Sequence, residues 1–109
     1  MVYAVSLSGR AEADIYEAFG FAYAAAPEVA ERWLNRLFDA IFSLEQFPQS
    51  CARIPEASHI GRELRQLVFG RRSGAFRIIF EIRDVQRYPC GGELIPVLRL
   101  LARTTVVTA

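Results

Sequence analysis

The chain of 109 residues is 52% hydrophobic and 23% charged, which is typical of a globular protein, and we predict a single domain over residues 1–109. Its formal net charge of +1 at pH 7 by itself neither favours nor opposes a nucleic-acid partner. The longest apolar run, residues 18–26, is less than half of a membrane span, and the N-terminus lacks the pattern of a secretory signal, so we expect a cytoplasmic protein without a membrane segment.

The first half of the chain predicts a strand followed by two helices. Residues 2–7 alternate and are rich in β-formers, which predicts a strand. Ser8 is a suitable N-cap for a helix over residues 10–26, where apolar residues recur at helical spacing. Pro27 fits the first position of a second helix, whose apolar stripe ends before Pro48. The two helices are predicted to form a tight hairpin.

The second half changes to a period of two, which is typical of β-strands. Residues 48–62 contain Pro, Ser and Gly with little periodicity and predict a loop. Three strands are predicted over residues 63–69, 75–83 and 93–103. Pro96 indicates an edge or a bulge in the last of them. The predicted fold is α+β with the order β-α-α-β-β-β, in which a two-helix hairpin packs on one face of a mainly antiparallel four-stranded sheet.

The two cysteines, Cys51 and Cys90, lie in turn-rich segments and lack a metal-type spacing. We interpret both as free thiols, since two cysteines are too few for a disulfide scaffold. The sequence has no metal-ligand cluster, no Gly-rich phosphate loop and no nucleophile elbow, so we predict neither a metal nor a cofactor.

The basic residues are unusual in type and in distribution. All thirteen are arginine, which excludes catalysis by a lysine of lowered pKa. Residues 1–50 hold seven acidic residues and three arginines, a balance of −4, whereas residues 51–109 hold five acidic residues and ten arginines, a balance of +5. The second half therefore carries the candidate anion-binding groups.

Strand alternation predicts where some of these arginines lie. If the apolar residues of the middle predicted strand face the helices, Arg77 faces the other side of the sheet. The same alternation puts Arg99 and Arg103 on that side, so we predict that the three arginines share an open face. Two interpretations remain open. Arg77 or Arg99 pairs across strands with Glu81 or Glu63, or the face binds phosphate or the acidic groups of a protein.

Five segments, taken in order and spacing, resemble the RelE/ParE superfamily of toxins from bacterial type II toxin-antitoxin systems. They are VSLSGRAEADI, PEVAERWLNRLFDAIFSLEQFP, GRELRQL, FRIIFEI and VLRLLAR. The resemblance covers nearly the whole chain and implies a small growth-inhibiting toxin of the plasmid stabilisation type. It also implies a cognate antitoxin that wraps the surface and neutralises the toxin, while the existence of a homodimer stays open.

The superfamily has two branches with different activities. The RelE branch cleaves messenger RNA on the ribosome, and the ParE branch poisons DNA gyrase without a nuclease site. By the resemblance, Arg77 matches the arginine that stabilises the scissile phosphate in the RelE branch. Arg103, or less securely Arg99, matches the arginine at the end of the last strand, and Arg71 and Arg72 are further candidates for contact with a nucleic acid or a protein partner.

The sequence departs from the RelE branch at several positions. The lysines expected before the middle strand and the C-terminal tyrosine are missing, and Leu100 stands where many relatives have a histidine. Cleavage of RNA also needs a proton acceptor and a proton donor. The only histidine, His59, is interpreted as a surface residue, which leaves Glu56 or Glu63 as the candidate base.

Three functional hypotheses follow. The first and favoured one is a gyrase poison of the ParE type without a catalytic site. The second is a ribosome-dependent endoribonuclease that uses Arg77 and Arg103 for the phosphate and Glu63 or His59 in proton transfer. The third is an inactivated member that serves as a binding module for its antitoxin.

Overall fold

The computed structural model describes residues 4–54, 63–70, 75–85 and 92–102. Two helices and five strands lie in these ranges, together with two short 3₁₀ turns. In chain order they are β1 (Ala4–Leu7), α1 (Gly9–Ala25), α2 (Pro27–Phe42), the turns Ser43–Glu45 and Pro48–Ser50, β2 (Arg65–Phe69), β3 (Phe76–Phe80), β4 (Arg83–Val85) and β5 (Gly92–Ala102).

The helical hairpin forms as the sequence predicts. The Ser8 hydroxyl accepts a hydrogen bond from the Ala11 N–H at 3.0 Å, which satisfies one of the free donors of the first turn of α1. The same hydroxyl donates to the Leu98 carbonyl at 2.8 Å, so the cap also joins the start of α1 to β5. Ala26 in an extended conformation and Pro27 then turn the chain into α2. None of the helices in the described ranges combines the length and the apolar character needed to cross a bilayer.

The sheet has the order β1-β5-β3-β2, and β4 pairs with β5 outside this path. The β1 and β5 strands are parallel, and the other pairs are antiparallel. This α+β arrangement confirms the predicted fold class. The predicted strand over residues 75–83 is divided, however, because β3 ends at Phe80 and β4 begins at Arg83.

Pro96 lies inside β5, which is a central strand rather than an edge strand. A residue's N–H and C=O point to the same side of its strand, and the Pro96 carbonyl accepts from the Glu81 N–H at 3.3 Å. The missing proline N–H therefore faces the interval between β3 and β4. Near this point the pairing register of β3 with β5 also shifts, between Ile79 and Phe80. The proline is tolerated because β5 changes partner here.

The main apolar cluster, the helix-side core, lies between the helical hairpin and the sheet. Its most deeply buried sheet residues are Ile78, Phe80, Ile95 and Val97, each 1% exposed or less, and Leu100 of β5 is 5% exposed. Its buried members are Ala11, Ile15, Leu37, Ile41, Leu44, Ile78, Phe80, Ile95, Val97 and Leu100. This core fixes which side of β3 and β5 remains for the predicted arginine face.

Candidate functional site

Arg77 lies on the sheet face opposite the helices, as strand alternation predicts, since its neighbour Ile78 is in the helix-side core. The side chain is not open to solvent, however, and Arg77 is only 7% exposed. Its Nε donates to the Gln66 side-chain oxygen at 2.6 Å, across β3 and β2. The expectation of a solvent-exposed Arg77 is therefore wrong, because the side chain is buried and hydrogen-bonded to a residue of the neighbouring strand.

A second, smaller cluster explains why this face is covered. The opposite-face cluster consists of the buried residues Ile54, Leu64 and Ile79, with Leu98 and Leu101 packed against them. Ile54 belongs to a short segment that runs beside β2, where the Ile54 N–H donates to the Leu64 carbonyl at 2.9 Å. A buried apolar cluster thus lies on the face that was predicted to be an open arginine surface.

Arg99 leaves this face and binds a helix residue. Its Nε and Nη2 donate to the two carboxylate oxygens of Asp14 in α1, at 2.7 and 3.1 Å. The same carboxylate accepts the Leu100 backbone N–H at 3.0 Å. The hydrogen bond to Asp14 raises the pKa of the Arg99 guanidinium, although desolvation opposes the shift. Arg99 and Arg77 therefore do not share an open face, and the predicted ion pair of Arg99 with Glu81 or Glu63 is replaced by one with Asp14.

The geometry of the Asp14 site follows from the sheet. The β1 strand ends at Leu7, opposite Val97, so among the described residues no strand pairs with this edge of β5 beyond that point. The first turns of α1 bring Asp14 to this edge. Its carboxylate accepts a hydrogen bond from the Leu100 N–H, in the place where the carbonyl of a neighbouring strand would accept it. We call Asp14, Arg99 and Leu100 the edge clasp. It joins two positions that are 85 residues apart.

Glu63, the candidate base, lies at the surface with its side chain 59% exposed. It pairs with Arg53 at 2.7 Å and with Arg65 at 3.8 Å, and not with Arg77. The structure thus does not bring Glu63 and Arg77 together as a catalytic pair.

Arg65 is a structural residue that the sequence analysis did not single out. Its Nη1 donates to the carbonyls of Gln49 at 3.1 Å and Cys51 at 2.8 Å, which ties β2 to the segment that leaves the helical layer. Its place in β2 puts it on the same side as Leu67 and Phe69 of the helix-side core. A charged residue on the core side of an alternating strand is the signal that predicts such a partner.

Several residues of the sequence hypotheses lie outside the described ranges. They are Glu56, His59, Arg71, Arg72, Cys90 and Arg103. Within the described ranges, Cys51 is a free thiol, and burial raises the pKa of that thiol. In the same ranges, no group of three His, Cys, Asp or Glu side chains is placed to hold a metal ion.

Large apolar side chains remain exposed on and next to the helical hairpin. Phe21 is 87% exposed, Tyr16 75%, Phe47 73% and Phe42 51%. Tyr16 also borders a groove of about 260 Å³ whose walls come from β1 and both helices.

A second groove lies between α2 and the end of β2 and has a volume of about 710 Å³. We call it the α2–β2 groove. It is lined by Val29, Arg32, Trp33, Arg36, Phe69 and Gly70. Gly70 has a φ of 94°, a backbone conformation that glycine adopts without the steric cost of a Cβ, and it turns the chain at the end of β2.

Comparisons with known proteins agree with the fold. The family model described as ParE toxin of type II toxin-antitoxin system, parDE, matches residues 5–105. A solved structure titled chromosomal ParDE TA system from P. aeruginosa is similar with a TM-score of 0.67 and 18% sequence identity, over 93% of this chain and 96% of that chain. At this identity the structural likeness concerns the fold. A search of curated proteins finds no match.

Proposed function

Because the chain belongs to the ParE toxin family of type II toxin-antitoxin systems, we propose that it poisons DNA gyrase and that a cognate antitoxin neutralises it. The family match over residues 5–105 carries this proposal. The similar fold of a chain from the P. aeruginosa ParDE TA system is consistent with it. The proposed place of action is the cytoplasm, where gyrase and its DNA are found.

The environment of Arg77 supports a toxin without a nuclease site. An arginine that stabilises a scissile phosphate has to reach the phosphate oxygens at the moment of reaction. Arg77 is 7% exposed and hydrogen-bonded to Gln66, so its guanidinium is already engaged within the protein. The only candidate base in the described ranges, Glu63, is engaged with Arg53 and Arg65. These observations favour protein binding over RNA cleavage.

The exposed aromatic groups support a protein partner for the helical hairpin. Phe21, Tyr16 and Phe42 are all more than half exposed and come from both helices. Burying one large apolar side chain on association contributes about 1.5–3 kcal/mol before the costs of binding are counted. The antitoxin of the proposed pair is the partner that would cover such a surface and keep the toxin soluble.

Among the arginines of the second half, we propose that Arg71, Arg72 and Arg103 contact gyrase or the antitoxin. Arg77 and Arg99 are engaged within the protein, with Gln66 and Asp14, so their contribution to binding is indirect. Replacing Arg103 by Ala should therefore reduce toxicity, measured as growth after induction in cells.

A gyrase assay tests the proposal. The purified protein is incubated with gyrase, ATP and supercoiled plasmid, and trapped cleavage is read as linear DNA after detergent and protease treatment. We expect linear DNA to accumulate at micromolar toxin and to disappear when the toxin is first mixed with its antitoxin. No effect on gyrase at these concentrations, together with cuts inside translated codons after induction in cells, would assign the chain to the endoribonuclease branch.

A further inference from the structure

The α2–β2 groove combines an apolar wall with two exposed guanidinium groups. Arg32 and Arg36 are both exposed on α2 and are four residues apart, so they lie one above the other on the same helix face. Trp33 lies between them in sequence and is half-buried beneath the groove. The groove therefore offers two positive charges beside an aromatic surface.

These two arginines have no partner within the described structure. Among the described residues, neither makes an ion pair within 4.0 Å, although Glu28 lies one turn before Arg32 on the same helix. Two like charges at this spacing destabilise a helix by a few tenths of a kcal/mol. By contrast, Arg65, Arg83 and Arg99 all bind a carboxylate. Arg32 and Arg36 thus differ from the arginines that stabilise the fold, because no carboxylate of the described residues binds them.

The apolar wall of the groove packs against the sheet. The Trp33 ring lies 6.1 Å from the ring of Phe69 in β2 and 5.6 Å from that of Phe76 in β3. Contacts with two strands hold the indole in place, so a ligand would meet a preformed surface and little ordering cost would arise on this side. Val29, which is 55% exposed, extends the apolar wall towards the start of α2.

We infer that the α2–β2 groove binds an acidic segment of the antitoxin, with carboxylates on Arg32 and Arg36 and an apolar side chain against Trp33. This inference rests on the proposed function for the identity of the partner. Arg32 and Arg36 are four residues apart, about 6 Å along the helix axis, which matches carboxylates separated by three or four residues in a helix or by two residues in a strand.

The local charge favours a peptide over a nucleic acid. The α2 helix also carries Glu28, Glu31 and Asp39, so its acidic residues outnumber the two arginines. The regularly spaced phosphates of a polyanion would meet these carboxylates, whereas a short peptide with two acidic side chains would not. A single apolar anchor on an aromatic wall, flanked by charge pairs, is also the usual arrangement of a protein–protein contact.

The test compares antitoxin binding by the original toxin, by the double variant Arg32→Ala with Arg36→Ala, and by the control Arg10→Ala. Arg10 is an exposed arginine in α1 that is not part of the groove. Affinity is measured by calorimetry at low and at physiological salt, and thermal unfolding of each free toxin shows that it is folded. We expect the double variant to lose about tenfold in affinity and part of the salt dependence, while the control changes less than twofold.

Trp33 provides an independent readout because it is the only tryptophan of the chain. With any tryptophan of the antitoxin replaced by phenylalanine, the emission of the complex reports the groove alone. We expect a shift to shorter wavelength on binding, as the indole loses contact with water. An unchanged emission maximum on formation of a tight complex would overturn the inference.

The outcomes separate this inference from the proposed function. Equal affinity of the original toxin and the double variant overturns the groove assignment but leaves antitoxin neutralisation and gyrase poisoning intact. Failure of the original toxin to bind its antitoxin at all overturns both. Binding of a fluorescein-labelled single-stranded RNA to the original toxin, lost in the double variant, would overturn the inference in favour of a nucleic-acid groove.

Discussion

The two faces of the sheet bury adjacent residues of β3 in different ways. Ile78 is 0% exposed in the helix-side core, which two helices complete, and Ile79 is 1% exposed in the opposite-face cluster. Within the described ranges, that second cluster has two other buried members, Ile54 and Leu64, of which Ile54 comes from the short segment beside β2 and Leu64 immediately precedes β2. The two isoleucines are therefore almost equally buried, although the helix-side core is much larger than the opposite-face cluster. Arg77 is buried on the side of the smaller cluster.

The sharpest test of this comparison is a matched pair of truncations. We expect Ile78→Ala to lower the free energy of unfolding by about 4 kcal/mol and Ile79→Ala by about 2–3 kcal/mol. Both remove the same atoms, but the small cluster can relax into the space while the helix-side core cannot. Urea denaturation of the two variants measures the difference. Equal losses, or a larger loss for Ile79→Ala, would show that the two faces are packed alike.

The second test concerns the arginine on the side of the smaller cluster. Arg77→Ala should lower the free energy of unfolding by about 2 kcal/mol, because it leaves the Gln66 amide without its donor and removes the packing of the arginine stem. Val68→Ala is the matched control, since Val68 is the register partner of Arg77 and is 48% exposed. We expect the control to lose less than about 1 kcal/mol. If Arg77→Ala lowers the free energy of unfolding by less than about 0.5 kcal/mol, as a surface substitution does, the main role of Arg77 is to bind a partner and not to stabilise the fold.

The third test concerns the edge clasp, which connects the helical layer to the sheet. Asp14→Ala should lower the free energy of unfolding by about 1–3 kcal/mol, because it leaves the Leu100 N–H unsatisfied and Arg99 without its bidentate partner. Glu17→Ala, an exposed acidic residue of the same helix, should change it by less than about 0.5 kcal/mol.

A double-mutant cycle with Arg99→Ala then isolates the pair within the clasp. We expect a coupling energy of about 0.5–1.5 kcal/mol between Asp14 and Arg99, since the two side chains are in direct contact. Thermal or urea unfolding of the two single variants and the double variant gives this value. Additive losses would mean that Asp14 acts through the backbone of β5 alone.

The smallest expected effect concerns Cys51, which packs against the helix-side core where the chain leaves it. Burial raises the pKa of its thiol, so the thiolate is disfavoured in the folded protein. The contribution to stability is therefore present at neutral pH and is lost as the pH rises through the folded pKa. In a Cys90→Ser background, alkylation by iodoacetamide at pH 8 should be several-fold slower than in urea. Equal rates would show that Cys51 lies open to solvent.

Much of the fold could be predicted because its periodicities are clear. The helical stripe from Pro27 onwards, the cap at Ser8 and the alternation of β3 each specify a local structure, and local structure then leaves few ways to cover the apolar faces. The division of the predicted strand at residues 75–83 was missed, because the change of partner opposite Pro96 is a property of β5 and leaves no mark in β3 itself.

The arginines were harder to place because their partners are distant in sequence. Alternation gave the correct face for Arg77 but could not show that this side chain would be buried there and hydrogen-bonded to Gln66. The ion pair of Arg99 with Asp14 depends on α1 reaching the edge of β5 beyond the end of β1, which is a tertiary relation. Arg65 could have been recognised as a structural residue, since a charge on the core side of a strand requires an internal partner.

The position of β5 in the sheet has a consequence for synthesis of the protein. It lies between β1 and β3 and also pairs with β4, yet it follows all of them in the chain. Until residues 92–102 have left the ribosome, Ala4–Leu7 has no strand to pair with and the edge clasp cannot close. Before that point, among the described strand pairs, only the pair of β2 and β3 can form, so the complete sheet, and with it the assembled toxin, exists only after β5 has been made.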